Sequence, residues 1–510
     1  MRKTALLIFN LLSTFFLFSQ TPGTLDLTFG NNGTLSVDIG GNNNFCYSSA
    51  MQADQKIVLA GQSYNVTDDI SFARLNPDGS LDAGFGSGGV VSFVFSSSDE
   101  QINNIKIQSD QKILGIGNTY SGVTNSMIMV RLTIDGQLDP SFSSDGMLVI
   151  DFGPGYDGFG MDLTLRDDGK ILGLGYVRDL SDNVHCSLCR INANGSMDNS
   201  FGNNGTLIMN LLSQDNYTNN IALQGENIIV GGRSYDGDDH FLTLARFTPD
   251  GMLDNTFGIN GISSVELVMD PWIIGPIGDM YMDAQDRILY GTYFEGLQGP
   301  DFAVYRFQEN GYPDNTFGEY GLSVTSLMSG DGYINAICAQ TDGKIIAAGT
   351  EDDQFTLVRY LEDGTPDAGF GTSGIGIVNT DFGYGIYSLN MQDDGLILAA
   401  GLVYNSTSDF AVARYYSGLN VGTPEVTGKS ESLQAFPNPV ENTIYFNYQI
   451  SGIRYQISVY DLCGRKKYES ILPKGQEQFQ LDVSAFPVGV YIAILEDENG
   501  IVVRGKFVKR

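Results

Sequence analysis

Three features of the sequence predict an all-β chain: a seven-bladed β-propeller followed by a small C-terminal β-sandwich. One phrase recurs seven times at a spacing of 53 to 60 residues. Asp-Gly dipeptides separate short β-branched and apolar runs, as hairpin turns with positive φ require. After residue 416 this pattern stops and a different apolar alternation begins. The expected organisation is a signal peptide over 1–20, the repeat domain over 21–416, a linker over 417–432 and a C-terminal domain over 433–510. Hydrophobic residues make up 42 % of the chain, enough for a large core and too many for a disordered one.

The N-terminus reads as an export signal. Arg2 and Lys3 precede the apolar stretch Leu6 to Phe18, and Ser19 to Pro22 suits cleavage. No other segment is apolar over a membrane-spanning length, so no integral span is expected once the signal is removed.

Each repeat carries three phrases. The first, Leu-Asp-x-x-Phe-Gly-x-x-Gly, stands at Leu25 to Gly33 and Leu81 to Gly89, with variants around Phe142, Phe201, Phe257, Phe317 and Phe370. The second resembles Lys-Ile-Leu-x-x-Gly and starts at Lys56, Lys112, Lys170, Asn227, Arg287, Lys344 and Leu396. The third is an alternating apolar run closed by Arg. Four short strands per unit make a propeller blade. In six units an Asp follows the closing Arg by eight residues across a turn: Arg74 and Asp82, Arg131 and Asp139, Arg190 and Asp198, Arg246 and Asp254, Arg306 and Asp314, Arg359 and Asp367. Arg414 has no such partner downstream. Asp26, in the unmatched first phrase, is its expected partner and would close the ring.

The stretch Asp54 to Gly89 resembles the delta-60 repeat family almost throughout its pattern, and the resemblance extends over about residues 24 to 416. It implies a propeller-like fold. It implies no catalytic residues, because the shared positions are turns and core.

The tail contains Phe436-Pro437-Asn438-Pro439, then Val459 to Arg465, Gly489-Val490-Tyr491 and Lys506-Phe507-Val508-Lys509. In order and spacing these phrases resemble the type A C-terminal sorting domain of the type IX secretion system. Pro437, Asn438, Pro439, Gly489, Tyr491, Lys506 and Lys509 carry the likeness. The resemblance implies a Bacteroidota-type bacterium, passage through the periplasm, the type IX machinery as partner, and a secreted or outer-surface address.

Charge is unevenly placed. The chain has 28 Lys and Arg against 60 Asp and Glu, and the tail from 424 onward is balanced. The repeats therefore carry the whole acidic excess. Outside the recurring Arg and Lys positions only Lys106, Arg166, Arg178 and Arg233 are basic there, a poor footprint for nucleic acid.

No catalytic constellation stands out. His185 and His240 fit no metal motif, and neither a G-x-S-x-G elbow nor a P-loop occurs. His240 is expected to be solvated at a loop end. Cys186 and Cys189 form a CxxC, but three residues apart on a strand they face opposite sides and cannot share a metal. Candidate binding residues are the tyrosines after the second phrase, Tyr64, Tyr120, Tyr176, Tyr235, Tyr293 and Tyr404, with Asp236, Asp238 and Asp239. Tyr among amides and acids suits a glycan or protein ligand. The alternatives are a polysaccharide hydrolase or lyase with carboxylates in the central funnel, and a calcium-binding structural or adhesive protein. No cofactor is expected beyond calcium, whose hard oxygen ligands the acidic loop at Asp236 to Asp239 would supply.

Overall fold

The computed structural model describes residues 21–40, 42–64, 67–95, 99–212, 215–267, 278–296, 299–327, 330–419, 433–447, 455–461, 466–472, 478–497 and 502–510. The expected signal peptide and most of the expected linker lie outside the described residues. The chain divides into two compact units, residues 1–420 and 421–510. No helix among the described residues is long and apolar enough to cross a membrane.

The first unit is a β-propeller of seven four-stranded antiparallel sheets. Blade 1 runs outward from Asn43–Met51 through Ile57–Tyr64 and Asp68–Leu75 to Val90–Phe93. Blades 2 to 6 repeat this order from innermost strands Glu100–Ile107, Tyr156–Leu165, Asp215–Gln224, Asp279–Met282 and Gly332–Ala339. Blade 7 takes Gly385–Met391, Leu396–Tyr404 and Ser408–Tyr416 from the end of the unit. Its outer strand, Thr34–Val37, comes from the beginning and pairs antiparallel with Ser408–Tyr416.

The core is a set of seven apolar seams, each filled by two adjacent blades. The two middle strands of each blade touch neighbours on both faces, so they read as nearly unbroken apolar runs and are buried along most of their length. The closing seam joins Leu398, Ala400 and Phe410 of blade 7 to Cys46, Leu59 and Ala73 of blade 1, with Phe29 between them. Cys186 fills one seam of blade 3 and Cys189 the opposite one. Burial pushes both thiols up to about 12, where they stay protonated small apolar groups.

The recurring Arg and Asp form seven equivalent clusters at the seams. Arg74 Nε donates to Asp82 Oδ2 at 2.7 Å, its guanidinium lies 4.7 Å from the Phe85 ring centre, and Nη1 reaches the Ile134 carbonyl of the next blade. Arg414 repeats this with residues from the other end of the unit. Its Nε donates to Asp26 Oδ2 at 2.8 Å, it covers the Phe29 ring at 4.5 Å, and Nη1 donates to the Pro77 carbonyl at 2.6 Å. Ser417, placed in the linker by composition, belongs to this framework: its carbonyl accepts from Arg359 Nη1.

In the second unit a three-stranded sheet (Gln434–Phe436, Thr443–Asn447, Gln478–Asp482) and a four-stranded sheet (Tyr455–Asp461, Lys466–Leu472, Gly489–Asp497, Val502–Lys509) share one apolar core. The Asn438 side chain brackets the last strand. Its Nδ2 donates to the Lys506 carbonyl at 3.0 Å and its Oδ1 accepts the Val508 N–H at 2.9 Å. Tyr491 is buried in the core and its hydroxyl donates to the Pro487 carbonyl at 2.7 Å. The Pro-Asn-Pro phrase and the final Lys-Phe-Val-Lys strand are thus one structural element, which accounts for their occurring together.

Candidate functional site

The seven innermost strands surround a central channel of about 540 Å³ with lining residues from every blade. A β-bulge interrupts most of these strands, between Cys46 and Ser48, Ile102 and Asn104, Gly160 and Asp162, Thr218 and Asn220, Ile334 and Ala336, and Ile386 and Ser388. A bulge opposes two residues to one on the partner strand, so two consecutive side chains can turn toward the axis. The glycine of the Lys-Ile-Leu-x-x-Gly phrase makes the bulge fit. A Cβ on Gly61, Gly117, Gly175 or Gly349 would collide with the bulging backbone carbonyl of Phe45, Gln101, Phe159 or Tyr333. The repeat signature therefore shapes the channel wall.

The residues so exposed alternate by blade. Blades 2, 4 and 6 present Asn103, Asn219 and Asn335, spaced 116 residues apart. Each amide donates to a backbone carbonyl of the next blade: Gly160 at 2.7 Å, Gly278 at 2.8 Å and Ile386 at 2.9 Å. The odd blades present acceptors instead. Ser48, Asp162, Asp279 and Ser388 receive the N–H groups of Ile105 (3.2 Å), Ile221 (2.9 Å), Ile337 (3.0 Å) and Ser49 (3.0 Å) in the following blade. Tyr47 and Tyr387 meet edge to face at 6.1 Å beside the closing seam.

Two carboxylates, Asp162 and Asp279, and one cation, Lys106, line this channel. Burial raises both carboxyls, Asp279 up to about 7 with the Asp162 charge adding to the effect. Sequence reasoning placed carboxylates in the funnel without locating them. It missed the amides altogether, although Asn at 116-residue intervals was a usable signal.

The tyrosine positions divide. Tyr64 and Tyr120 end their strands and are exposed, as is Tyr404. Tyr64 pairs with Asn43 and Tyr235 with Asp215, so the group rings the end of the channel where the innermost strands begin. Tyr235 is half-buried, and its hydroxyl donates to the Gly237 carbonyl at 2.6 Å. Tyr293 corrects the expectation of a binding residue on the loop face. It is 4 % exposed and packs on Tyr333 inside a seam, because its strand runs on to Gly296. Tyr176 is likewise within its strand, stacked on Phe159 at 4.8 Å. His240, expected in solvent, is 9 % exposed and lies against the Tyr235 ring. The acidic loop is an Asx turn: Asp236 Oδ1 accepts the N–H groups of Asp238 and Asp239 at 3.0 and 2.9 Å. No three His, Cys, Asp or Glu side chains converge as a metal site among the described residues.

A family model described as a domain of unknown function (DUF5122) β-propeller matches residues 52–85, 108–142, 166–201, 227–257 and 340–370. A second, described as a secretion system C-terminal sorting domain, matches 434–510. No curated protein matches the sequence. Similar solved structures include the β-propeller domain of the Trilobed protease from Pyrococcus furiosus, at 9 % identity and TM-score 0.36, covering 72 % of this chain and 96 % of that one. Polysaccharide lyase Uly1 is 11 % identical with TM-score 0.40, covering 76 % and 91 %. A protein from Lactobacillus plantarum is 11 % identical with TM-score 0.37, covering 67 % and 90 %. The chain thus carries repeats that match the DUF5122 β-propeller model and a secretion system C-terminal sorting domain, which directs its export by type IX secretion to the cell surface or the extracellular space.

Proposed function

We propose that the propeller is a surface or secreted binding module that takes the end of a glycan chain into its central channel. The observation that carries this reading is the wall itself: neutral amides and hydroxyls from most of the blades, with Tyr47 and Tyr387 offering ring faces. Such a wall suits polyhydroxylated ligands, which take hydrogen bonds at their edges and apolar contact on their faces. A channel of about 540 Å³ admits a few sugar units and no folded domain. The exposed Tyr64, Tyr120 and Tyr404 extend the surface around the same opening. Asp162 and Asp279 each hold a backbone N–H of the next blade, a wall-building role that favours binding over acid–base catalysis.

A glycan array probed with the exported protein, followed by calorimetry on any hit, tests the reading. Tyr387→Ala and Tyr47→Ala should weaken a captured glycan at least tenfold while melting close to the parent. A hit unaffected by both substitutions, or binding only to protein ligands, would sink it. Turnover of the captured sugar would point to the hydrolase or lyase alternative.

A further inference from the structure

We propose that Asp162, Asn220 and Asp279 hold a calcium ion at the wall of the central channel. Asp162 and Asn220 directly follow the bulges of blades 3 and 4. Asp279 occupies the equivalent place in blade 5, since it receives the Ile337 N–H as Asp162 receives that of Ile221. The consecutive residues Asn220 and Ile221 join the two carboxylates. Ile221 N donates to Asp162 Oδ2 at 2.9 Å, and Asn220 Nδ2 donates to Asp279 Oδ1 at 3.1 Å. Two like charges therefore sit one dipeptide apart inside the protein, where water screens them poorly.

Asn220 supplies the independent sign of a ligand. It lines the channel and is only 6 % exposed. Its amide nitrogen faces Asp279, which fixes the orientation of the group. Its Oδ1 is then left without a hydrogen-bond partner among the described residues. A buried acceptor with no donor asks for an explanation. A hard cation answers it, because calcium accepts carboxylate, amide carbonyl and water oxygens together in a flexible shell. The channel volume leaves room for the waters that complete the shell. Lys106 also lines the channel, and its charge acts on both carboxylates. It offsets one of the two negative charges and so competes with the ion.

The inference stands apart from the glycan reading, because calcium alone is the probe. The full exported protein is stripped with chelator and titrated with calcium chloride, following both the heat of binding and the melting temperature. One calcium per chain and a higher melting temperature are expected. Asp279→Asn should weaken binding at least tenfold, Lys106→Met should tighten it several-fold, and Asp236→Asn should leave it unchanged. If Asp279→Asn does not fold, Asn220→Ala removes a ligand oxygen without changing charge and should weaken binding several-fold. Absence of stoichiometric binding overturns the proposal. So does binding that survives both Asp279→Asn and Asn220→Ala, or that is lost with Asp236→Asn.

Discussion

Arg414 and Asp26, 388 positions apart, make the same contact as six pairs only eight positions apart. Each Arg is buried under a Phe ring and shares its fork between a carboxylate and the next blade, so neither charge is free to return to water. Breaking a buried pair by removing one partner typically costs about 3–5 kcal/mol. Asp26→Asn should therefore destabilise the protein about as much as Asp139→Asn in urea denaturation; a loss under about 1 kcal/mol, the worth of an exposed pair, would show that the closing contact is not equivalent. The same pairs set the response to acid. All seven aspartates sit below the usual carboxylate range. For Asp198 the hydrogen bond from Lys170 leads, burial opposes it, and Ser200 and Arg190 add to the lowering. A carboxyl lowered on folding contributes stability that is present above its unfolded value of about 3.9 and is lost as pH falls through its folded value. Melting temperatures should therefore not fall between neutrality and about pH 5, where protonation of Asp279 adds stability, and should drop steeply below about pH 4, with Asp198→Asn making the drop shallower. A flat profile to pH 2 would contradict this.

The bulged innermost strand is where local sequence and candidate site meet. Gly175 lies directly under the bulge of blade 3, and a methyl group there would strike the Phe159 carbonyl. Gly175→Ala should cost about 1–3 kcal/mol, as overpacking does, whereas Gly385→Ala, with no neighbour nearer than 3.6 Å, should be nearly neutral by thermal melting. Equal effects would separate the repeat signature from the channel shape. The blades were legible because turn dipeptides and apolar runs are local signals, and the Arg–Asp pairing because one turn separates the partners. The channel was much less so. Asn103, Asn219 and Asn335 each reach the backbone of the next blade, a contact that no signal within a single repeat marks out. Tyr293 was misread for a related reason: the last residues of a strand and the first of its loop look alike in sequence, and only the seam decides that the ring is buried.

At the scale of the whole molecule, the first and last strands of the propeller share blade 7, so chain connectivity and ring closure are the same event. Removing residues 21–37 deletes Asp26, Phe29 and the outer strand Thr34–Val37. It should replace one sharp calorimetric transition of the propeller by a broad one at lower temperature, while removal of everything after 419 should leave that transition in place. A sharp, unshifted transition after the N-terminal deletion would show that the ring does not need its closing strand. A tailless protein that fails to melt cooperatively would show the two units to be interdependent.

The alternation of the channel wall has a consequence that follows from parity. Donor blades and acceptor blades take turns around the ring, but seven is odd, so two acceptor blades must stand side by side. They do so between blades 7 and 1, where Ser388 and Ser49 share a hydroxyl contact of 2.9 Å and Asn390 donates to the Ser49 hydroxyl at 2.7 Å. The mismatch falls on the seam that blade 7, assembled from both ends of the propeller, makes with blade 1, and uncharged hydroxyls, able to give or accept, absorb it. A ring of six or eight such blades would have no mismatch to absorb. Gaining or losing a two-blade unit would keep the fault, and losing a single donor blade would bring two acceptors together at a seam where at least one of them is a carboxylate.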